Sequence, residues 1–389
     1  MISGDRSILQ GKKGAFWYML EEFRKYWGRI DIICPWAQIR STNFEIRNKS
    51  ETRSTKIEGD SDFGFRISDF PNVFFHPSPW GLWYQPRWII KKGKQLAREH
   101  GHSVMSVHEY PPFYNGFGAE WLSRISRVPY VLEVHHIVGY PRPATIVEVL
   151  GRILSHLFLP HDAEGARAVR CVSRGPSDLL EQWGAPVKKL FIIPSFYLDR
   201  AALEPDPSIE KRYDIVCCGR LVPNKGFGNV LRALVKLPNT TLLLIGDGPH
   251  RNHLSQLAQK LHIADRVTFT GWLGEEADVY RAMQSAKVFV MNSGSEGGPR
   301  TALEAMALGL PIIATPVGVM PDVIHEGANR NGYLTTGRPS DLAEKIGKLL
   351  EYPSLRSRLG LEARHILERF EKSQLIKEYA QFLQSHARQ

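Results

Sequence analysis

The segment Ser295-Glu296-Gly297-Gly298-Pro299-Arg300-Thr301-Ala302-Leu303-Glu304-Ala305-Met306-Ala307-Leu308-Gly309 carries the densest potential chemistry and directly follows an apolar, β-type run. Pro299 suits a first helical position, Gly298 is a tolerated N-cap, and Gly309 with Pro311 closes the helix. A helix beginning at Gly298 or Pro299 leaves the amides of Arg300 and Thr301 free at its positive end, where a phosphate would sit. Glu304 is the only charge past the first turn, so the helix is expected to be buried on most sides. Its carboxylate then needs donors. A vicinal diol such as that of a ribose would supply them, and so would a neighbouring Arg or a backbone amide. The residues alone leave both readings open.

A second segment, Val216-Cys217-Cys218-Gly219-Arg220-Leu221-Val222-Pro223-Asn224-Lys225-Gly226, is a strand running into a turn. It sets Arg220 and Lys225 at the carboxyl edge of a sheet, where ligands of open α/β sheets bind, and a fixed Arg with a flexible Lys suits a diphosphate. The alternative is a solvated turn with ordinary surface charges. Gly246-Asp247-Gly248-Pro249 adds a tight turn on the same edge, with Gly246 and Gly248 expected to shape a nucleotide pocket.

These segments need a scaffold that brings strand ends together. From Tyr213 onward, apolar runs over 214–218, 241–245, 267–270, 288–291 and 312–314 alternate with amphipathic stretches, the pattern of parallel βαβ units in a doubly wound α/β domain. The first half repeats the theme over 30–34, 103–108, 130–135, 168–173 and 190–194, predicting a second Rossmann-like domain. Residues 1–205 and 206–389 are the expected domains, with 198–212 as linker and a last helix over about 372–389 crossing back to the first. The polar stretch 40–69 has no sustained period and reads as a long loop. Met1–Asp5 resembles only the end of a strand, which would place the start of that element upstream.

With 389 residues, 43% hydrophobic and 23% charged, the chain suits two globular cores and excludes fibrous, coiled-coil and disordered classes. Cys34, Cys171, Cys217 and Cys218 lie in or beside apolar runs without metal-ligand spacing, as reduced core thiols would. The formal charge of +10 is spread along the chain, with 27 basic and 21 acidic residues in 1–205. Such a spread suits anionic small molecules or an anionic membrane surface, and no nucleic-acid module is present. No secretory signal or membrane-spanning stretch is legible, so a cytoplasmic location is expected and the sequons at Asn48 and Asn239 carry no meaning.

In this order and at these separations, Gly219-Arg220-Leu221 with Lys225-Gly226, Gly246-Asp247-Gly248-Pro249, 267–271, Glu296 to Glu304 with seven residues between, and 307–314 resemble glycosyltransferase family 4. That is a retaining family with the GT-B fold, two Rossmann-like domains facing across a cleft. The resemblance covers roughly 100–335 motif by motif. It implies a nucleotide diphosphate sugar as donor, and a glycan or lipid-linked acceptor as in polysaccharide biosynthesis. Arg220 and Lys225 would neutralise the diphosphate, Glu296 would hold hydroxyls of the donor sugar, and Glu304 the ribose. Gly297, Gly298 and Pro299 would shape the turn whose following amides, Arg300 and Thr301, cap the phosphate. His135, ending Val131-Leu132-Glu133-Val134-His135, would reach the sugar from the first domain, and the Gly11 to Gly14 loop would approach the phosphates from the other side.

Three positions depart from the family pattern. An aromatic is usual where Gly298 stands, an apolar residue where Arg300 stands, and Asn-Gly where Ser195-Phe196 follow Pro194. Asp60-Ser61-Asp62 superficially matches the metal-binding motif of the other glycosyltransferase fold but has no strand before it, and no metal or other cofactor is expected. A non-catalytic nucleotide-sugar-binding protein of the same fold is the alternative function, disfavoured by the intact Arg220, Lys225, Glu296 and Glu304. Finally, Trp80, Trp83, Tyr84 and Trp88 precede Lys91, Lys92, Lys94 and Arg98. This is either a peripheral contact with an anionic membrane or a helix packed on the sheet with a solvated basic face.

Overall fold

The computed structural model describes residues 1–5, 8–10, 15–35, 44–46, 65–67, 70–325, 327 and 330–388. Gly11 and Gly14, Asn48 and the Asp60-Ser61-Asp62 triplet lie outside the described residues. The first half holds β1 (Ile30–Cys34), β2 (Phe44–Ile46), β3 (Phe65–Ile67), β4 (Val73–Pro77), β5 (Met105–His108), β6 (Tyr130–Val134), β7 (Ala168–Cys171) and β8 (Leu190–Ile192). Their orders are β1-β4-β3-β2 and β5-β6-β7-β8. Ile2 bridges in parallel to Ile33 of β1 and to Val107 of β5, joining the two groups.

The second half is one parallel sheet of β9 (Tyr213–Cys218), β10 (Leu242–Ile245), β11 (Val267–Gly271), β12 (Ala286–Met291), β13 (Ile312–Ala314) and β14 (Gly332–Leu334). Its order is β11-β10-β9-β12-β13-β14, so the chain winds outward from β9 in both directions and leaves a crevice between β9 and β12. Strands such as Leu242–Ile245 are buried throughout, as unbroken aliphatic runs require when helices cover both faces of a sheet.

The stretch read from sequence as a polar loop contains β2 and β3, and β3 pairs antiparallel with both β2 and β4. Phe44-Glu45-Ile46 and Phe65-Arg66-Ile67 each alternate for only three residues, too short a run to stand out from a polar background. Helix Gln85–His100 buries Trp88, Ile89, Leu96 and also Lys92, while Trp80 and Trp83 are exposed. Trp88 Nε1 donates to the His76 carbonyl at 3.1 Å, so this indole belongs to the core.

The last helix, Lys372–Ser385, leaves the second half and packs on helix Ala15–Phe23, with Phe23 and Tyr379 stacked at 5.0 Å. Ile376, Tyr379 and Leu383 are buried there, each contributing roughly 1.5–3 kcal/mol by leaving water. One buried cluster therefore runs from Leu20 and Phe23 to Leu303 and Met306, fastening the halves along one side of the cleft. None of the four cysteines, all among the described residues, is in a disulfide, and burial pushes the Cys171 thiol up to about 12.

Candidate functional site

Strand β9 ends in a turn whose short helix, Pro223–Lys225, folds Lys225 back over Gly219. Lys225 Nζ pairs with Glu296 Oε1, and Ser293 Oγ donates to the same oxygen at 2.8 Å. Arg220 is exposed beside them. The Gly246–Gly248 turn after β10 docks on this one, with the Leu221 amide donating to the Asp247 carbonyl at 2.9 Å. The structure thus gathers Arg220, Lys225, Glu296, Gly246 and Gly248 at the carboxyl edge of a single sheet.

The helix that follows β12 spans Arg300–Ala307, with Pro299 as its N-cap. It begins a residue or two later than its Gly-Pro signature predicts, and this corrects one expectation. The Arg300 amide is not free, because it donates to the Gly298 carbonyl at 2.8 Å; Pro299 turns the chain too tightly for it to face outward. Thr301 N–H has no acceptor among the described residues, and its Oγ1 donates to the Cys218 carbonyl at 3.2 Å. Thr301 is therefore the amide left for an anion at this helix end.

Glu304 is 5% exposed. Arg300 Nε lies 2.9 Å from Glu304 Oε1, off the hydrogen-bond axis, while Tyr280 OH donates to the same oxygen at 3.2 Å. Arg300 Nη2 also reaches Glu276 Oε1 at 3.1 Å. Burial raises the Glu304 pKa against the pull of Arg300. Among the partners the sequence left open, the neighbouring Arg is in place, and Tyr280 adds a hydroxyl donor.

His135 directly follows β6, and its backbone meets the second half. A Cβ on Gly297 would fall 2.1 Å from the His135 carbonyl oxygen, so only glycine lets these backbones meet. His135 Nε2 lies 3.0 Å from Glu133 Oε2, with its side chain 39% exposed toward the cleft. Glu133 is fully buried. Its Oε1 accepts from Ser106 Oγ and Tyr379 OH, and its Oε2 also accepts from Arg170 Nη1 at 2.9 Å. Burial alone would raise its pKa, but His108, Arg170 and the bond from His135 hold the carboxyl well below the usual carboxylate range. Sequence reading passed over Glu133, Arg170 and Tyr379. The signal was there, since the lone charges of β5, β6 and β7 fall in one register, His108 beside Glu133 beside Arg170.

His108, Glu133 and His135 offer three ligand atoms within 4.8 Å of one another. The donor set does not suit a cation, because all the lone-pair sites of the carboxylate face hydrogen-bond donors and a guanidinium sits on one oxygen. These residues floor a cavity of about 340 Å³, walled by Phe196, Gly298, Arg300 and Tyr379. A Cβ on Gly298 would fall 1.7 Å from Phe196 Cε1. The two departures, a missing aromatic at 298 and an added one at 196, thus occupy one place, with the ring supplied from the other side of the cleft. Gly298→Ala is therefore expected to lower turnover by at least tenfold, since a misplacement of about 1 Å costs on that order or more. Adding Phe196→Ala should restore part of it. Steady-state kinetics of the single and double variants check this, and equal losses in both would sink the coupling.

Two Rossmann-like sheets facing across a cleft define the GT-B fold. In agreement, the chain superposes on the sucrose-phosphate synthase from Thermosynechococcus elongatus with a TM-score of 0.75 at 18% identity, covering 98% of this chain and 94% of that one. Residues 199–366 match the family model "Glycosyl transferases group 1". The chain is 28% identical over 326 residues to the sulfoquinovosyl transferase SQD2 of Arabidopsis thaliana, covering 79% of this chain and 61% of that protein. It is 37% identical over 150 residues to the lipopolysaccharide core biosynthesis glycosyltransferase LpsD of Rhizobium meliloti, covering 38% of this chain and 41% of that one. It thus spans less than two thirds of the length of these relatives. The similarity to the glycosyl transferases group 1 model thus lies in the second half, and the superposition shows the fold of the whole chain.

Proposed function

We propose that this chain transfers a sugar from a nucleotide diphosphate sugar to a glycan or lipid-linked acceptor, with retention at the anomeric carbon. The observation that carries the reading is Lys225 held on Glu296 at the mouth of β9, beside the exposed Arg220 and the open Thr301 amide. As the anomeric bond breaks, negative charge collects on the departing diphosphate, where Arg220, Lys225 and the helix end stabilise it. Glu296 would hold donor-sugar hydroxyls and hand Lys225 to the phosphate. His135 would meet the sugar from the first half, fixed by Glu133. Two cations and a helix end supply the charge that a metal would otherwise supply, so we propose a metal-independent reaction. The lipopolysaccharide in the name of one relative supports a lipid-linked acceptor, and we propose that the chain acts peripherally at the inner face of a membrane, without a nucleic-acid partner.

The test is release of nucleotide diphosphate from a panel of nucleotide sugars, together with thermal stabilisation by the free diphosphates, which rises as RT ln(1 + [L]/Kd). Stabilisation without turnover across the panel would favour a non-catalytic nucleotide-sugar binder. Glu304→Ala is expected to weaken diphosphate affinity by about 1–3 kcal/mol through lost charged hydrogen bonds. Because Arg300 already pairs with Glu304, unchanged affinity with a collapse of stability would make Glu304 purely a structural partner of Arg300.

A further inference from the structure

The helix Ile146–Gly165 is amphipathic in the wrong sense for a water-facing element. Its inner side is built from Gly151, Ser155, Leu159 and Ala163, and a Cβ on Gly151 would fall 2.8 Å from Val138 Cγ1, so small residues press the helix close to the body. Its bulky residues point outward, with Ile146 80%, Leu150 55%, Ile153 52% and Leu157 64% exposed. The formal charges between 146 and 160 are Glu148 and Arg152, and both turn back toward the protein. Glu148 accepts from the Ala144 amide, and Arg152 donates to the Pro141 carbonyl beneath the Tyr140 ring. The stripe continues onto helix Tyr114–Ser126, where Phe117 and Trp121 are exposed, and Phe113 stacked on Phe158 at 5.3 Å joins the two helices.

The far end of this face carries the opposite character. Beside Gly165 lies a depression lined by Arg167, Lys188 and Lys189, with Arg127 exposed nearby. The nearby acids are largely committed, since Glu120 pairs with Arg124 at 2.6 Å and Asp162 is buried; Glu164 is the exposed exception. An apolar stripe ending in a basic rim complements a bilayer with anionic headgroups, where side chains enter the acyl boundary and cations meet lipid phosphates. A symmetric second copy would instead bring the same basic rim to its own interface.

We propose that the outward face of helix Ile146–Gly165 is the bilayer-docking surface of this chain, with Arg167, Lys188 and Lys189 taking the phosphates of anionic lipids. This rests on the reading of an acceptor presented at a membrane, and it puts the contact elsewhere than the Trp80 to Arg98 segment, for which the sequence left a membrane contact as one of two readings. Location fits the task. The helix begins directly after a loop that touches the second half, where Pro141 bridges to Ser295 and Arg142 Nη1 donates to the Thr336 carbonyl at 2.9 Å. Docking there sets the cleft beside the bilayer surface.

Co-sedimentation of the full chain with phosphatidylcholine vesicles, with and without phosphatidylglycerol, tests the assignment. The unaltered chain should pellet with the anionic vesicles, and Leu150→Glu with Leu157→Glu should weaken that binding by at least about tenfold, because two charges would enter the acyl boundary. Both positions are exposed, so melting temperature and nucleotide diphosphate release in solution should stay unchanged. Arg167→Glu with Lys188→Glu should abolish the preference for anionic over neutral vesicles. Anionic-vesicle binding that survives the leucine double variant overturns the face assignment alone. An unaltered chain that pellets with neither vesicle overturns the membrane reading as well, and a dimer that the leucine double variant converts to monomer assigns the face to a second copy. Loss of nucleotide diphosphate release in the unaltered chain, by contrast, would bear on the transfer reaction and not on the surface.

Discussion

Lys225→Ala is expected to lower kcat on the order of a hundredfold, equivalent to about 3 kcal/mol of lost transition-state stabilisation, with only a small change in melting temperature. Lys225 sits in a turn outside the sheet, and its ammonium pairs with Glu296, which keeps Ser293 as a second donor. Removing it therefore deletes a charge aimed at the departing diphosphate without opening a hole in the core. Arg220→Ala should act alike but more weakly on stability, since Arg220 is exposed. The two losses should not add fully, because both cations answer one developing charge. Lys225→Arg is the sharper control. It keeps the charge but replaces a compact ammonium with a planar fork that does not fit the same path back over Gly219, so partial activity is expected. Single-turnover kinetics together with thermal melts check all three, and near-normal kinetics in both alanine variants would sink the assignment of the anion site.

How much of this was legible beforehand depends on whether a feature is local. Five of the six strands of the second sheet were readable as β-type runs next to a turn, while β14, only Gly-Tyr-Leu, was not expected; the turn residues Gly219, Gly246 and Gly298 mark the carboxyl edge of the sheet. The start of the helix at Arg300 was less so. Proline at an N-terminus fixes φ but leaves open whether the next amide points out or closes on the residue before, and the Arg300 amide closes on Gly298. Phe196 and Gly298 were read separately as departures, because a side chain that fills another residue's place from across a cleft leaves no periodic trace. The same holds for β2 and β3, an antiparallel pair that joins the sheet through β3 on β4. Helix Ile146–Gly165 is a subtler case. No helix was read there from the sequence, and the packing of Gly151 and Ser155 inward reveals that the larger side chains face out.

Glu133→Gln is expected to destabilise the fold by about 3 kcal/mol, because it leaves the Arg170 guanidinium buried without its counter-charge. Arg170 and Glu133 side chains are 5% and 0% exposed, so solvent cannot take over from the lost partner. For a chain of 389 residues unfolding as one unit, that loss corresponds to a drop in melting temperature of roughly 4 °C. Glu133→Met combined with Arg170→Met should recover part of it, since replacing both members of a buried pair removes the uncompensated charge. The pH dependence follows from the same cluster. Glu133 is held well below the usual carboxylate range, so its contribution is present above pH of about 4.5 and is lost as pH falls toward its folded value. Burial pushes the neighbouring His108 down to about 4 from the ordinary 6.5. Between those values the unfolded chain takes up a proton that the folded chain refuses, so stability also falls as pH drops through that window. The unaltered protein should therefore melt progressively lower from pH 6.5 to 4 and then more steeply. In Glu133→Gln the steep acid limb should shrink while the His108 limb persists, because the glutamine cannot titrate. Melting curves across pH for the single and double variants decide it: a Glu133→Gln protein that melts with the unaltered one at pH 7 would mean the carboxylate contributes no net stability to the sheet, and its partners on β5, β7 and the last helix would then hold together by packing alone.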